Sequence, residues 1–400
     1  MRSHLKKVPL QVWIVGSASL LITASAAMFF SVFALFLKSL HVKSANISLI
    51  DGIIEGLGYL FKIFSGVLSD FLQKRKLIFA IGAFFTAFSK LLPILFFTAQ
   101  SAILGRILDR LGNGLQATPR DALISDYAPP NLRGTCFGVR QSLGTLGSVL
   151  GTLFVFTILK FVKDDFYTIF AVASVPAVVA FLLIHFFVRD ARRSQEEGQP
   201  QVKIKTEKVP FHLSDVRRLN RSYWKTMLIV GLFMLCRFSE SLMMLYGKET
   251  FSLSNSAATQ IMIVYNLAAV FSAYTTGRLE SFFASSTLLM SGVFITMGAN
   301  FVMALAGSFS LFMVGAALWG IQIGLMQNVF CAEISKFVQP ELRGTGFGIF
   351  YFMTAMSVLI ANNIGGQLAE KSGVLAFYYS AFLSFLTCLF LLFSRRGKRV

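Results

Sequence analysis

LRGTCFG, Leu132 to Gly138, and LRGTGFG, Leu342 to Gly348, are nearly the same seven residues written twice, about 210 positions apart. A proline precedes each, Pro130 and Pro340, two residues upstream of the leucine. Recurrence at that distance is far beyond the period of a short-repeat array and points to duplication of a whole domain. The composition says what kind of domain. The 400 residues are 55% hydrophobic and only 14% charged, with a mean hydropathy of +0.67, too apolar for a soluble protein of this size.

A bilayer core takes about 20 apolar residues of helix, and runs of that length recur along the chain. Twelve spans are expected, near 11–37, 46–69, 77–98, 101–124, 134–159, 166–188, 226–247, 256–280, 286–307, 309–335, 345–369 and 374–394. The first begins like a secretory signal, with a basic start and Ala24-Ser25-Ala26, but its apolar run continues to Leu37, longer than a signal requires. The fold class is therefore all-α and polytopic, with twelve transmembrane helices as two six-helix repeats. The polar stretch between spans 6 and 7 divides the chain into an N-terminal bundle, 1–190, a linker, 191–225, and a C-terminal bundle, 226–400. Its SDVRRLN segment reads as a short basic surface helix suited to anionic lipid.

A net charge of +18 raises the question of nucleic acid. The basic residues instead gather in alternate loops: Lys74, Arg75 and Lys76, Arg133, the run from Arg189 to Arg221, Arg343, and Arg395 to Arg399. The intervening loops hold little beyond Lys38, Lys43, Lys163, Lys248 and Lys371. This asymmetry is that of a membrane protein with cytoplasmic loops on the basic side, so both termini are expected in the cytoplasm and no nucleic-acid partner is needed.

On the twelve-span frame, LRG opens span 5 and again span 11, the equivalent helix of the second half. GVLSD, Gly66 to Asp70, has a weaker echo in GRLES, Gly277 to Ser281, one residue out of step. GVLSDFLQKRK (Gly66 to Lys76), RLGNG (Arg110 to Gly114) and DALISDYAPPNLRGTCFG (Asp121 to Gly138) together resemble the signature segments of the major facilitator superfamily, in particular its bacterial members. The resemblance covers the whole chain. It implies a multi-pass protein of the cytoplasmic (inner) membrane that carries a small-molecule solute by rocker-switch alternating access. It also implies a gating role for the junction residues Gly66, Asp70, Arg75, Arg120, Arg133 and Arg343; from the charges alone, Arg120 and Arg133 of the adjoining junction are the candidates for partner of Asp70. The same residues equally satisfy topology and loop packing alone. The drug-antiporter branch ends its span 5 glycine run in Gly-Pro. Here Gly144, Gly147 and Gly151 share a face but Thr152 stands in the proline's place, so these glycines read as packing residues.

Charges inside spans are costly and mark function or pairing. Asp51, Glu55 and Lys62 fall within roughly 40° on span 2. Arg106, Asp109, Arg110 and Asn113 form a sector of about 100° on span 4. Lys90 is a deep cation of span 3, and Arg237 and Glu240 stand at i, i+3 on span 7. The functional reading makes Asp51, Glu55, Asp109 and Glu240 the proton-coupling candidates, with Glu55 or Asp51 foremost. Lys62, Arg106, Arg110, Arg237, Asn266, Gln322, Gln327 and Asn328 are then the solute-binding candidates, beside the amides Asn362 and Asn363 and Trp319. The alternative is internal pairing: Asp109 with Arg106 or Arg110, Lys62 with a neighbouring acid, Arg237 with Glu240.

The four cysteines and four histidines are scattered without ligand spacing, and no Walker-type phosphate loop occurs, so no metal, cofactor or ATP motor is expected. The expected function is proton-coupled secondary transport of a small polar or amphiphilic solute by a monomer surrounded by membrane lipid, and not an enzyme. A siderophore or drug carrier of the same superfamily, or a receptor or scaffold on the same fold, stands as the alternative.

Overall fold

The computed structural model describes residues 8–72, 74–129, 132–162, 165–190, 216, 218–338 and 342–396. Those residues form helices and no strands. In chain order they are α1 (Leu10–Ser39), α2 (Ser44–Leu72), α3 (Arg75–Phe96), α4 (Ala99–Tyr127), α5 (Arg133–Phe161), α6 (Phe166–Phe187), α7 (Arg221–Leu235), α8 (Glu240–Thr250), α9 (Asn255–Phe282), α10 (Ser285–Ala304), α11 (Phe309–Phe337), α12 (Arg343–Lys371) and α13 (Gly373–Arg396). Helices α7 and α8 are the two halves of one interrupted span, so the twelve expected spans are all present. Among the described residues, ten of the spans are long and apolar enough to cross a membrane on those grounds alone. Helix α2 carries Asp51, Glu55 and Lys62, and α4 carries Arg106, Asp109 and Arg110.

The helix starts follow capping chemistry. Thr98 and Ser101 form a reciprocal capping box at α4, and Ser308, Ser254 and Asn220 cap α11, α9 and α7. The twin motif is a structural twin as well. Leu132 and Leu342 stand at the N-caps of α5 and α12 with ψ of 4° in both and φ of −118° and −99°. Both leucines are buried, each in an equivalent apolar cluster of its own half. Large apolar side chains that remain exposed, such as Phe154, Phe186, Phe271 and Phe393, face outward as a bilayer would require.

The chain forms two compact units. One comprises Met1–Val32 and Leu57–Pro210, the other Phe33–Gly56 and Phe211–Val400. Helices α1 and α2 are thus each divided between the units. In the first unit the backbones of α3 and α4 meet at Gly82 and Gly112, where a Cβ on Gly112 would lie 2.5 Å from the Gly82 carbonyl oxygen. Helices α1 and α5 meet likewise: a Cβ on Gly147 would lie 2.2 Å from the Leu20 oxygen, and one on Gly151 2.3 Å from that of Ala24. These are the close approaches small residues permit in membranes. Gly144 has no such contact, its nearest neighbour being Thr23 Oγ1 at 3.8 Å.

Candidate functional site

In the first unit the close approach of α3 and α4 decides which charges meet. Lys90 of α3 donates to Asp109 Oδ1 on α4, and Arg106 donates to the other carboxylate oxygen at 3.3 Å. All three side chains are at most 1% exposed. The cations are also placed against aromatic rings of α1, Arg106 at 4.5 Å from the Phe30 centroid and Lys90 at 5.5 Å from that of Phe29. A buried acid bracketed by two buried cations is the pairing arrangement. Beside Arg106, the anticipated partner, Asp109 is held by Lys90 of the neighbouring helix. Arg110 runs its aliphatic stem past Gly58 of α2, where a Cβ would lie 3.6 Å from Arg110 Cδ. Lys62, one turn further along α2, sits 4.8 Å from the ring of Tyr59.

In the second unit the interruption of the seventh span organises the site. Helix α7 ends at Leu235, the chain is non-helical through Arg237 and Phe238, and Ser239 restarts it as the N-cap of α8. Ser239 Oγ donates to Asp51 Oδ2 at 2.6 Å and accepts from Ser241 N, while Ser239 N donates to Asn362 Oδ1 at 2.7 Å. Ser48 Oγ donates to the Asn362 backbone oxygen at 2.8 Å, and a Cβ on Gly52 would touch Asn362, so the first half of α2 packs directly on α12. Asp51 and Asn362 are both 2% exposed. On the other side of the break, Arg237 Nη2 donates to Glu240 Oε1 at 2.9 Å and Tyr265 OH donates to the same oxygen at 2.8 Å. Glu55 stands one turn along α2 from Asp51. The Arg237–Glu240 pair that the spacing anticipates is therefore formed, but across a helix start and not within a continuous helix.

Trp319 and Gln322 of α11 are completely buried. Trp319 lies with its ring 5.1 Å from that of Phe238 from the break, tilted by 47°, while its Nε1 and both amide atoms of Gln322 have no hydrogen-bond partner among the described residues. Asn266 is part-buried on α9, beside Tyr265. The side chains of Gln327 and Asn328 lie outside the described residues, as do those of the junction residues Gly66, Asp70, Arg133 and Arg343. Of the junction set, Arg75 pairs with Asp126 and donates to the Ala122 oxygen. Arg120 pairs with Asp121, which Arg140 also approaches at 3.5 Å. Sequence reasoning missed Ser239, Tyr265, Asp126 and Arg140. The polar run Cys236-Arg237-Phe238-Ser239-Glu240 in mid-span, a serine followed by an acid as at any helix start, carries the signal for Ser239.

Twelve helical spans, a sequence and backbone repeat of six, and charge gathered at a broken helix within the membrane define a class: the polytopic solute carriers. The sequence model of the Major Facilitator Superfamily matches residues 15–280 and 241–400. The chain belongs to that superfamily; it is a membrane transporter and not an enzyme. An uncharacterized MFS-type transporter of Methanocaldococcus jannaschii is 25% identical over 391 residues, covering 96% of this chain and 94% of its own length. Among solved structures, a POT family transporter in complex with 5-aminolevulinic acid superposes with a TM-score of 0.77 at 11% identity, over 96% of this chain and 95% of that one. A D-xylose-proton symporter does so with 0.72 at 14% identity, over 95% and 96%. At these identities the superpositions speak for the fold.

Proposed function

We propose that this transporter moves a small polar or amphiphilic solute across the cytoplasmic membrane by alternating access, driven by protons, with both termini in the cytoplasm. The observation that carries the reading is the cluster at the break of the seventh span: Asp51, Arg237, Ser239, Glu240 and Tyr265 held together at membrane depth. Charges there are expensive and persist where they work. Discontinuous helices recur at solute and ion sites because they free backbone dipoles and polar side chains within the membrane. In this assignment Glu55, Asp51 and Glu240 exchange the proton. Lys62, Arg106, Arg110 and Arg237, with the amides Asn266, Gln322, Gln327 and Asn328, meet the solute. Gly66, Asp70, Arg75, Arg120, Arg133 and Arg343 work the cytoplasmic gate. Asp109 comes last among the carriers, since both its oxygens are taken by Lys90 and Arg106.

The test is Glu55→Gln in proteoliposomes. Proton-driven accumulation is expected to vanish while counterflow of preloaded solute persists; equal loss of both would remove Glu55 from the carrier role.

A further inference from the structure

At the end of the second unit that carries the turn between α1 and α2, a cavity of about 300 Å³ lies among Ser44, Leu242, Leu245, Tyr246, Glu249 and Gly373. That volume is at the small end of the range for ligand pockets. None of these residues takes part in the cluster around Asp51 and Arg237. The wall has two characters. Leu242 and Leu245 are buried and apolar. Opposite in character are the Glu249 carboxylate, the Ser44 hydroxyl and the Tyr246 ring. The ring is fixed by Phe377 and Phe312 at 4.9 and 5.9 Å between centroids. Gly373 lies directly on it: a Cβ there would come within 2.1 Å of Tyr246 Cδ2, so a side chain at this position would displace the ring.

The rim already holds an ammonium group. Lys38 Nζ sits 2.8 Å from Glu249 Oε1 and donates to Ser44 Oγ at 2.9 Å, and both of those residues line the cavity. The pair is substantially solvent-exposed, 36% for Lys38 and 53% for Glu249. Exposed pairs of long side chains are individually weak and readily exchanged. We propose that the cavity binds a primary ammonium group on a short apolar stem, the ammonium taking the place of Lys38 between Glu249 and Ser44 and facing the Tyr246 ring, the stem lying along Leu242 and Leu245. An acid beside an aromatic face is a recurrent cation receptor. The ammonium belongs either to a free amine or to the ethanolamine headgroup of a phospholipid, since the cavity opens among helix ends. The site is independent of proton coupling and of the solute carried.

The experiment uses the full chain purified in detergent free of aminolipid, with n-butylammonium chloride as probe, n-butanol as its neutral counterpart, and ionic strength held with sodium chloride. Binding to the folded state raises the apparent Tm by mass action, the added stability growing as RT ln(1 + L/Kd) with probe concentration L, so a Kd is fitted from the dependence of Tm on probe concentration. Butylammonium is expected to raise it with this logarithmic dependence and butanol not. Glu249→Gln should raise the fitted Kd at least tenfold. Lys38→Met, which removes the competing ammonium, should lower it about two- to fivefold, the range set by an exposed ion pair. Adding phosphatidylethanolamine but not phosphatidylglycerol should displace the probe if the headgroup is the natural occupant and leave it bound if a free amine is. The proposal is overturned if butanol acts as well as butylammonium, if Glu249→Gln binds within twofold of the parent, or if neither butylammonium nor phosphatidylethanolamine stabilises the protein. Should Glu249→Gln fail to fold, Ser44→Ala, which removes the second ammonium acceptor, and Lys38→Met decide the matter by opposite shifts.

Discussion

Replacing Asp109 by asparagine keeps the shape of the side chain and removes its charge, leaving Lys90 and Arg106, 0% and 1% exposed, without their common counter-ion. Breaking a buried ion pair by neutralising one partner costs about 3–5 kcal/mol, because the remaining charge stays desolvated and uncompensated. Lys90→Met is a different perturbation. Asp109 retains Arg106 at 3.3 Å, so the loss is one charged hydrogen bond, about 1.5–3 kcal/mol. The double variant Lys90→Met/Asp109→Asn removes one cation together with the acid and leaves Arg106 seated on the Phe30 ring. Its cost should therefore fall below the sum of the singles by about 1–3 kcal/mol, the coupling expected of groups in direct contact. The assay is reversible unfolding in mixed micelles, run as a double-mutant cycle. Asp109→Asn costing no more than Lys90→Met, or strict additivity of the two, would refute a bracketed buried acid.

Gly147→Val places a branched side chain where even a Cβ meets the Leu20 oxygen at 2.2 Å, and should cost about 1–3 kcal/mol by overpacking, whereas Gly298→Ala, with nothing within 4 Å, should be neutral. Thermal denaturation in one detergent compares the two. Tyr265→Phe removes one of the two donors to Glu240 and should alter the pH profile of transport more than the solute KM, since Arg237 stays in place; an unchanged profile would separate Tyr265 from coupling. Asp165 caps α6 outside the span, and hydrogen bonds from the Thr168 hydroxyl and then the Thr168 N–H hold its carboxyl below the usual 3.8. A lowered folded-state pKa stabilises above the unfolded value and is lost as pH falls through the folded one, so the Asp165 contribution should be complete at neutral pH and fade only below pH 3.8. Asp165→Ala should cost about 0.5–2 kcal/mol at neutral pH, measured by thermal melt, and less in strong acid.

The architecture was legible because two independent signals agreed. Apolar runs of bilayer length counted the spans, and the repeated LRG fixed their equivalence, to the point that Leu132 and Leu342 share a ψ of 4°. The charges on α2, α4 and the seventh span were equally legible, since any such residue at membrane depth stands out. Their partners were not. That Asp109 meets Lys90 depends on how closely α3 and α4 approach at Gly82 and Gly112, a property of the crossing and not of either helix alone. The break at Arg237 and Phe238 was hidden because the apolar residues on both sides raise the hydropathy of the whole window. Tyr265 reads from the sequence as one more aromatic of a membrane helix; only the position of Glu240 gives its hydroxyl a purpose.

The division of α1 and α2 between units has a consequence for biogenesis. Phe33–Gly56 leaves the ribosome before the residues it packs with, since 155 positions (211 minus 56) separate Gly56 from Phe211. At roughly 5–20 residues per second this is a wait of about 8–30 s. During it the Asp51 carboxylate has neither Ser239 nor Asn362 near it and the Gly52 face has no α12 to cover it. A nascent hairpin of α1 and α2 is thus a poor client for lipid until the second half arrives. A chain stalled in the linker should be held by the insertion machinery or degraded, whereas supplying the two halves as separate polypeptides tests whether the late helices can rescue the early ones.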